Sequence, residues 1–255
     1  MPHIPSAPTA ELSILPFADA MARSGQSGGY DAEKWLYVPD FYTEYRYLLG
    51  TRGEKPLVCI GINPSTAEPD RPDQLDNTLK SVERVALHNG YDSFLMFNVY
   101  AQRATRPNDI ERVCNEALHR ANMEAFDYIL SLSEQPAVWA AWGNIIEQRA
   151  YLKDCLADMI AIGERHGAQW YTARPDAGDG GPDPGAGHSV GHVRQAEQKG
   201  PPAPPALPQG DQPAGRVRHP RLLCRMPVGE TAKMSVLLEN GHFFMYRAAV
   251  TFSLR

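Results

Sequence analysis

The chain has 255 residues, a hydrophobic content of 43% and a formal charge of −5, enough apolar material to bury the core of one sizeable domain without staples. The negative balance argues against broad, sequence-independent adhesion to duplex nucleic acid, although a local basic patch can override the average. The stretch MPHIPSAPTAELSILPF has no basic start followed by an apolar run, and nothing reaches the roughly 18 apolar residues of a membrane span. The expectation is a cytoplasmic protein with no membrane partner. Cys59, Cys114, Cys155 and Cys224 are scattered, with no CxxC and no histidine at zinc-ligand spacing, so reduced thiols, no structural metal and no cofactor are expected.

Residues 1–30, rich in Pro, Ala, Ser and Gly, carry no periodic signal beyond a short ELSILPFADAMA stretch, and read as a flexible, loosely docked arm. KWLYVPDFYTEYRYLL, from Lys34 to Leu49, suggests two short strands with a turn around Pro39-Asp40, an antiparallel edge. LVCIGIN, from Leu57, is a continuous apolar run ending in a Gly/Asn/Pro loop, as expected of a strand buried on both faces. A helix follows, capped by Asn77 or Thr78, with Leu79, Val82, Val85 and Ala86 on one face and Asn89-Gly90 as its stop. FLMFNVY, from Phe94 to Tyr100, is a second buried strand.

After a polar loop, Asn108 and Glu111 have capping-box spacing, and Leu118, Ala121, Ala125, Ile129 and Leu132 mark a helical face. Ala137 to Trp142 reads as a third buried strand, Asn144 to Gly163 as a third amphipathic helix, and AQWYT, ending at Thr172, as a fourth strand. Alternation of strand and helix implies an α/β three-layer sandwich around a mostly parallel sheet with right-handed crossovers. Residues 31–172 are therefore the α/β domain. From residue 173 to 255 the chain turns to Pro, Gly, Ala, Asp and Gln, a disordered tail in which only VLLENGHFFMYRAAVTFSL could form a hairpin, turning at Asn240-Gly241.

Ligands bind beyond the carboxyl ends of strands in such a sheet, so the loops after Ile62, Asn98 and Trp142 should converge. In Gly61-Ile62-Asn63-Pro64-Ser65-Thr66, the glycine permits close backbone approach, Asn63 presents an amide, Pro64 stiffens the turn, and Ser65 and Thr66 offer hydroxyls and N–H groups. An ordinary strand-to-helix turn accounts for the same residues. Asn98 lies inside an apolar run, where an unpaired amide costs about 1–3 kcal/mol; its partner is either a neighbouring backbone or the edge of a nucleobase. Trp142 reads first as core, next to Gly143. Arg103 and Arg106 belong to a solvated face or to the place of a phosphate. Cys59 reads as core rather than nucleophile.

The series IGINPSTAEPD, DNT, FLMFNVYAQRAT and VWAAWGN resembles a bacterial family, domain of unknown function 1643, across roughly Tyr45 to Thr172, and more remotely the uracil-DNA glycosylase superfamily. The remote resemblance implies a uracil-DNA-glycosylase-like fold in which Asn63 positions an attacking water, Asn98 reads the base and Trp142-Gly143 forms a third motif. It also implies a nucleotide or nucleic-acid partner and hydrolysis of an N-glycosidic bond; a non-catalytic base-binding module and a plain scaffold are the alternatives. Glu68 and Asp70 lie several residues beyond Asn63, so the first motif holds no acidic residue, which favours the module. Ser65 stands where the glycosylase patterns have glycine or tyrosine, and the late HPSP-like loop is missing.

KGPPAPPALPQGDQPAGRVRH, from Lys199 to His219, can be encoded by DNA that, read one base later, gives KGHPRHPLYLKATSPLGEFDI, which contains a match to the missing motif. The expectation is a frame slip between Tyr171 and Gln195, with Gly229 to Arg255 untranslated in the original frame and the third arm of the site lost from this chain. A genuine Pro-rich tail is the alternative. The gene sequence decides: codons 199 to 208 should spell HPRHPLYL one base on, and a failure to do so removes the idea.

Overall fold

In the computed structural model, which describes residues 2–69, 77–173 and 223–225, the apolar runs become strands of one sheet. These are β1 (Trp35–Val38), β2 (Leu48–Thr51), β3 (Pro56–Gly61), β4 (Ser93–Asn98), β5 (Ala137–Ala140), β6 (Gln169–Ala173) and β7 (Leu223–Arg225). They form a seven-stranded sheet in the order β1-β2-β4-β3-β5-β6-β7. The central pairs β4·β3, β3·β5 and β5·β6 are parallel. Antiparallel pairs flank them, β1·β2 and β2·β4 on one side and β6·β7 on the other.

Helices α1 (Phe17–Arg23), α2 (Asn77–His88), α3 (Glu116–Ser131) and α4 (Tyr151–Arg165) cover the sheet. On one face, Leu79, Val82, Val85 and Ala86 of α2 pack with Leu57, Cys59, Phe94 and Met96. On the other, Phe126 and Ile129 of α3 and Leu156 and Met159 of α4 pack with Val58, Ile60, Leu95 and Phe97. Successive residues of β3 and β4 thus enter opposite cores, the pleat of a strand buried on both sides. Each large aliphatic side chain buried this way contributes about 1.5–3 kcal/mol. The molecule is an α/β three-layer arrangement around a mixed sheet whose centre is parallel.

Topology singles out one end of that sheet. The chain leaves β3, crosses by α2 to β4, then returns by α3 on the opposite face past β3 to β5. The crossover direction therefore reverses between β3 and β5, and a crevice opens beyond the carboxyl ends of strands at such a reversal. Gly61 to Thr66 occupies that position.

Several boundaries differ from expectation. The connection around Pro39-Asp40 is no tight turn, because residues 39–47 make their own contacts before β2. Tyr45 bridges Gln102, and the Arg46 N–H donates to Ala101 O at 2.9 Å. The Asp40 carboxylate accepts from the N–H groups of Gln26 and Ser27.

Asn108 caps nothing: it sits in a 3₁₀ turn, Pro107–Asp109, and the cap of α3 is Asn115, whose side chain accepts from the N–H groups of Ala117 and Leu118. Glu111, the would-be box partner, instead accepts hydrogen bonds from Thr9 and Tyr100. The helix expected from Asn144 begins as a separate 3₁₀ turn, Gly143–Gln148, and extended backbone at Arg149 precedes α4.

The first 30 residues are not loosely docked. Phe17 and Ala20 are buried in the α3/α4-side core, and Thr9 is fully buried on Glu111. The Tyr45 hydroxyl accepts from Leu15 N–H, and the Tyr47 hydroxyl donates to Leu15 O at 2.7 Å. Proline-rich composition hid this, because the anchors are single residues at irregular spacing.

Of the expected 173–255 tail, Ala173 completes β6, and Leu223–Arg225 pairs with it as β7. The stretch Lys199 to His219, on which the expected frame slip rests, and the expected hairpin at Asn240-Gly241 lie outside the described residues.

Candidate functional site

Gly61 is directly opposite Asn98 in the parallel ladder, and the pairing runs on past the strands: Val99 N–H donates to Gly61 O at 2.9 Å and Tyr100 N–H to Ile62 O at 3.0 Å. A Cβ at Gly61 would lie 2.6 Å from the Met96 methyl and 3.2 Å from Asn98 Oδ1. The glycine is needed because the Asn98 amide lies against its backbone, on the sheet face that α2 covers.

Asn98 is 1% exposed, and both its Oδ1 and its Nδ2 lack a hydrogen-bond partner among the described residues. Its main chain is held firmly: Asn122, fully buried on α3, donates from Nδ2 to Asn98 O at 2.9 Å. Asn122 was not anticipated from sequence, although an amide inside the apolar face Leu118, Ala121, Ala125 was a signal of the same kind as Asn98. The neutral amide at Asn98 has one donor and one acceptor edge in a low-dielectric setting, where each is strengthened and each is costly unmade.

The loop after β3 is tied to the loop after β4 at successive points. Asn63 Nδ2 donates to Ala104 O at 2.7 Å and to Pro64 O at 3.1 Å, while Ala104 N–H donates to Pro64 O at 2.9 Å. The amide nitrogen of Asn63 therefore holds the loop. Its Oδ1 accepts no hydrogen bond among the described residues, and neither do the hydroxyls of half-buried Ser65 and Thr66 make one there.

Arg103 is not on a solvated face. It is 0% exposed, and its guanidinium donates from Nη1 to Ser65 O and to Ala67 O and from Nη2 to the Tyr37 hydroxyl at 2.8 Å. Its carbon centre lies 4.4 Å from the centroid of the Tyr42 ring, a cation–π distance. Arg46, also buried, donates to the same Ala67 carbonyl at 3.1 Å. Burial pushes the Tyr37 hydroxyl up to about 12, although Arg103 and Arg46 both pull it down. Sequence could not separate Arg103 from Arg106, which is exposed; only the fold buries one and leaves the other in water.

Trp142 does not join this group. It is 4% exposed in the core on the α3/α4 side, edge-on to Trp170 at 6.4 Å, whereas Asn98 and Gly61 are on the α2 side. Gly143 is exposed with φ +60°, a left-handed conformation that starts the following 3₁₀ turn. Ile62 is core, and Cys59 is fully buried, its thiol pushed up by burial. Among the described residues no group of His, Cys, Asp or Glu is placed to hold a metal ion, and no helix is long and apolar enough to cross a membrane.

The geometry can bind a ligand through the buried Asn98 amide beside Gly61, and can orient a polar molecule with the Asn63 oxygen and the Ser65 and Thr66 hydroxyls. Arg103 should be a structural keystone of the loop. Arg103→Met should lower stability by about 3 kcal/mol in denaturant titration, and Arg103→Lys should recover little, because an ammonium cannot bridge separated carbonyls and a phenol as a planar fork does. Wild-type stability in Arg103→Met would show the loop to be held without it.

No curated protein and no solved structure matched the chain. Residues 46–183 match the family described as "Protein of unknown function (DUF1643)", and the chain belongs to that family.

Proposed function

We propose that this domain binds a nucleotide, free or within a nucleic acid, at the carboxyl ends of β3 and β4, with Asn98 reading the base. The observation that carries the reading is the Asn98 amide, buried on a rigid strand with neither polar atom paired among the described residues. Buried polar groups are almost always satisfied, and an exception one strand from a topological switch point is best explained by a ligand that supplies the missing partners. An amide edge with one donor and one acceptor matches the edge of a nucleobase.

Hydrolysis of an N-glycosidic bond is the narrower reading, and one observation favours it. Asn63 is locked through its nitrogen, which leaves Oδ1 as a fixed acceptor that can orient water. An amide takes up no proton, so such a site works by placing water against an oxocarbenium-like sugar carbon rather than by strong base catalysis. The remote resemblance to uracil-DNA glycosylases supports the same division of roles, Asn63 on water and Asn98 on the base. The family match ends at residue 183, inside the window proposed for the frame slip; on that reading the closing HPRHPLYL arm is missing here, and restoring the frame should strengthen binding.

Nucleoside monophosphates and a single-stranded oligonucleotide titrated onto the chain and onto its frame-restored form should bind saturably. Asn98→Ala should weaken binding at least about tenfold, as expected for loss of a paired amide. Uracil-, hypoxanthine- and mismatch-containing oligonucleotides should then be examined for abasic sites. Release of base establishes the hydrolase, binding without release the non-catalytic module, and no binding by either form overturns both.

A further inference from the structure

The first segment brings a histidine onto the stretch that leads into β2. His3 Nε2 lies 2.9 Å from Glu44 Oε2, and its Nδ1 lies 2.6 Å from the Tyr42 hydroxyl. The other Glu44 oxygen accepts from Ser6 Oγ at 2.7 Å. Burial works against the Glu44 charge, but the hydrogen bonds from Ser6 and His3 outweigh it and hold the carboxyl below its usual range. An ionised carboxylate only accepts, so in the neutral imidazole the proton sits on Nε2 and the lone pair of Nδ1 accepts the Tyr42 proton. A hydroxyl, an imidazole and a carboxylate thus stand in line, the order that activates a nucleophile. The His3 and Glu44 side chains are 10% and 19% exposed, whereas Tyr42 is 42% exposed, so the line opens to solvent at its phenol end.

Main-chain bonds brace the three residues. His3 N–H donates to Thr105 Oγ1, Thr105 N–H donates to His3 O at 2.9 Å, and Arg103 N–H donates to Glu44 O at 2.8 Å. The Thr105 N–H belongs to the same peptide group as the Ala104 carbonyl that accepts from Asn63, so one peptide ties His3 to the loop after β3. The Arg103 guanidinium lies against the Tyr42 ring. Burial pushes the Tyr42 phenol up and Arg103 pulls it back, with Glu68 and Glu44 opposing Arg103. The phenol is therefore neutral at rest and needs a base at the moment it reacts; His3 is placed to be that base.

We propose that Tyr42 is a nucleophile that takes a phosphoryl group from a phosphoester, with His3 as its general base and Glu44 steadying the imidazolium. In the step, the Tyr42 oxygen attacks phosphorus and its proton passes to His3 Nδ1. The bond from phosphorus to the leaving oxygen breaks, and that oxygen takes the proton from His3 and departs as an alcohol. Tyr42 is left as a phosphate ester, His3 is neutral again, and no electron changes hands. Phosphorus is favoured over a carbonyl carbon because a phenolate leaves a carbonyl readily, which makes an acyl-tyrosine short-lived. An anionic phosphoester also suits the Arg103 cation against the ring and the exposed Arg106 next to Thr105. A nucleotide bound beside Asn98 would supply such a group, but the Tyr42 chemistry does not depend on it.

The folded full-length chain should be exposed to diisopropyl fluorophosphate, in which fluoride is the leaving group, and the phosphorylated tyrosines followed over time by mass spectrometry. Tyr128, also 42% exposed but with no histidine on its hydroxyl among the described residues, is the internal control. Tyr42, assigned by fragmentation within tryptic peptide 35–46, should be modified about a hundredfold faster than Tyr128, the scale of general-base assistance. His3→Gln, whose amide can still bridge phenol and carboxylate but takes up no proton, should bring Tyr42 down to the Tyr128 rate with the circular dichroism spectrum unchanged. Glu44→Gln should slow Tyr42 at least about tenfold. Tyr42 modified no faster than Tyr128 in the wild-type chain, or still fast in folded His3→Gln, would overturn the proposal. No nucleotide enters the experiment, so its failure leaves nucleotide binding at Asn98 untouched.

Discussion

A guanidinium without solvent organises this site. Arg103 carries a permanent charge into a place where it has no exposure at all, and a buried charge is costly unless it is paired or hydrogen-bonded. Its two terminal nitrogens are matched by the carbonyls of Ser65 and Ala67 and the hydroxyl of Tyr37, with the Tyr42 ring beneath, while Nε has no partner among the described residues. Because those carbonyls belong to the loop after β3 and Arg103 to the loop after β4, satisfying the charge fixes one loop against the other. Asn63 and Ala104 repeat the tie two residues earlier. A stretch that would otherwise be a mobile turn becomes part of the rigid sheet edge.

That rigidity gives meaning to the unpaired amide beside it. A polar side chain on a soft loop finds water or a backbone group, whereas Asn98 has its main chain held between Gly61 and Asn122 and its amide without a partner among the described residues. The site thus combines a clamped loop and a glycine at the point where the crossovers reverse with a buried amide on the neighbouring strand. Their coincidence, rather than any one of them, supports a ligand there. The α3/α4 face, where Trp142 and Trp170 pack together, is by contrast a filled core.

The central strands and the layer order were legible in the sequence, because a strand covered on both faces must be an unbroken apolar run and β3, β4 and β5 are such runs. Gly61 and Asn98 were legible for the complementary reason, that each interrupts its run. What escaped was whatever depends on tertiary partners. Asn108 and Asn115 have equal capping chemistry, and the pull of Thr9 and Tyr100 on Glu111 decides between them. Phe17 anchors the first segment through a core that only the fold assembles. Arg103 carries no local mark of burial, so its role appears only when separate segments meet.

If the Asn98 amide is kept for a ligand, it works against the stability of the empty protein. A single substitution therefore separates binding from structure. Asn98→Leu, which keeps the side-chain size and removes both unpaired polar atoms, should raise the unfolding free energy of the ligand-free chain by about 1 kcal/mol while abolishing nucleotide binding in the same preparation. A variant that is destabilised, or that still binds nucleotide with wild-type affinity, would contradict the account, because Asn98 would then be a structural amide or one that the ligand never meets.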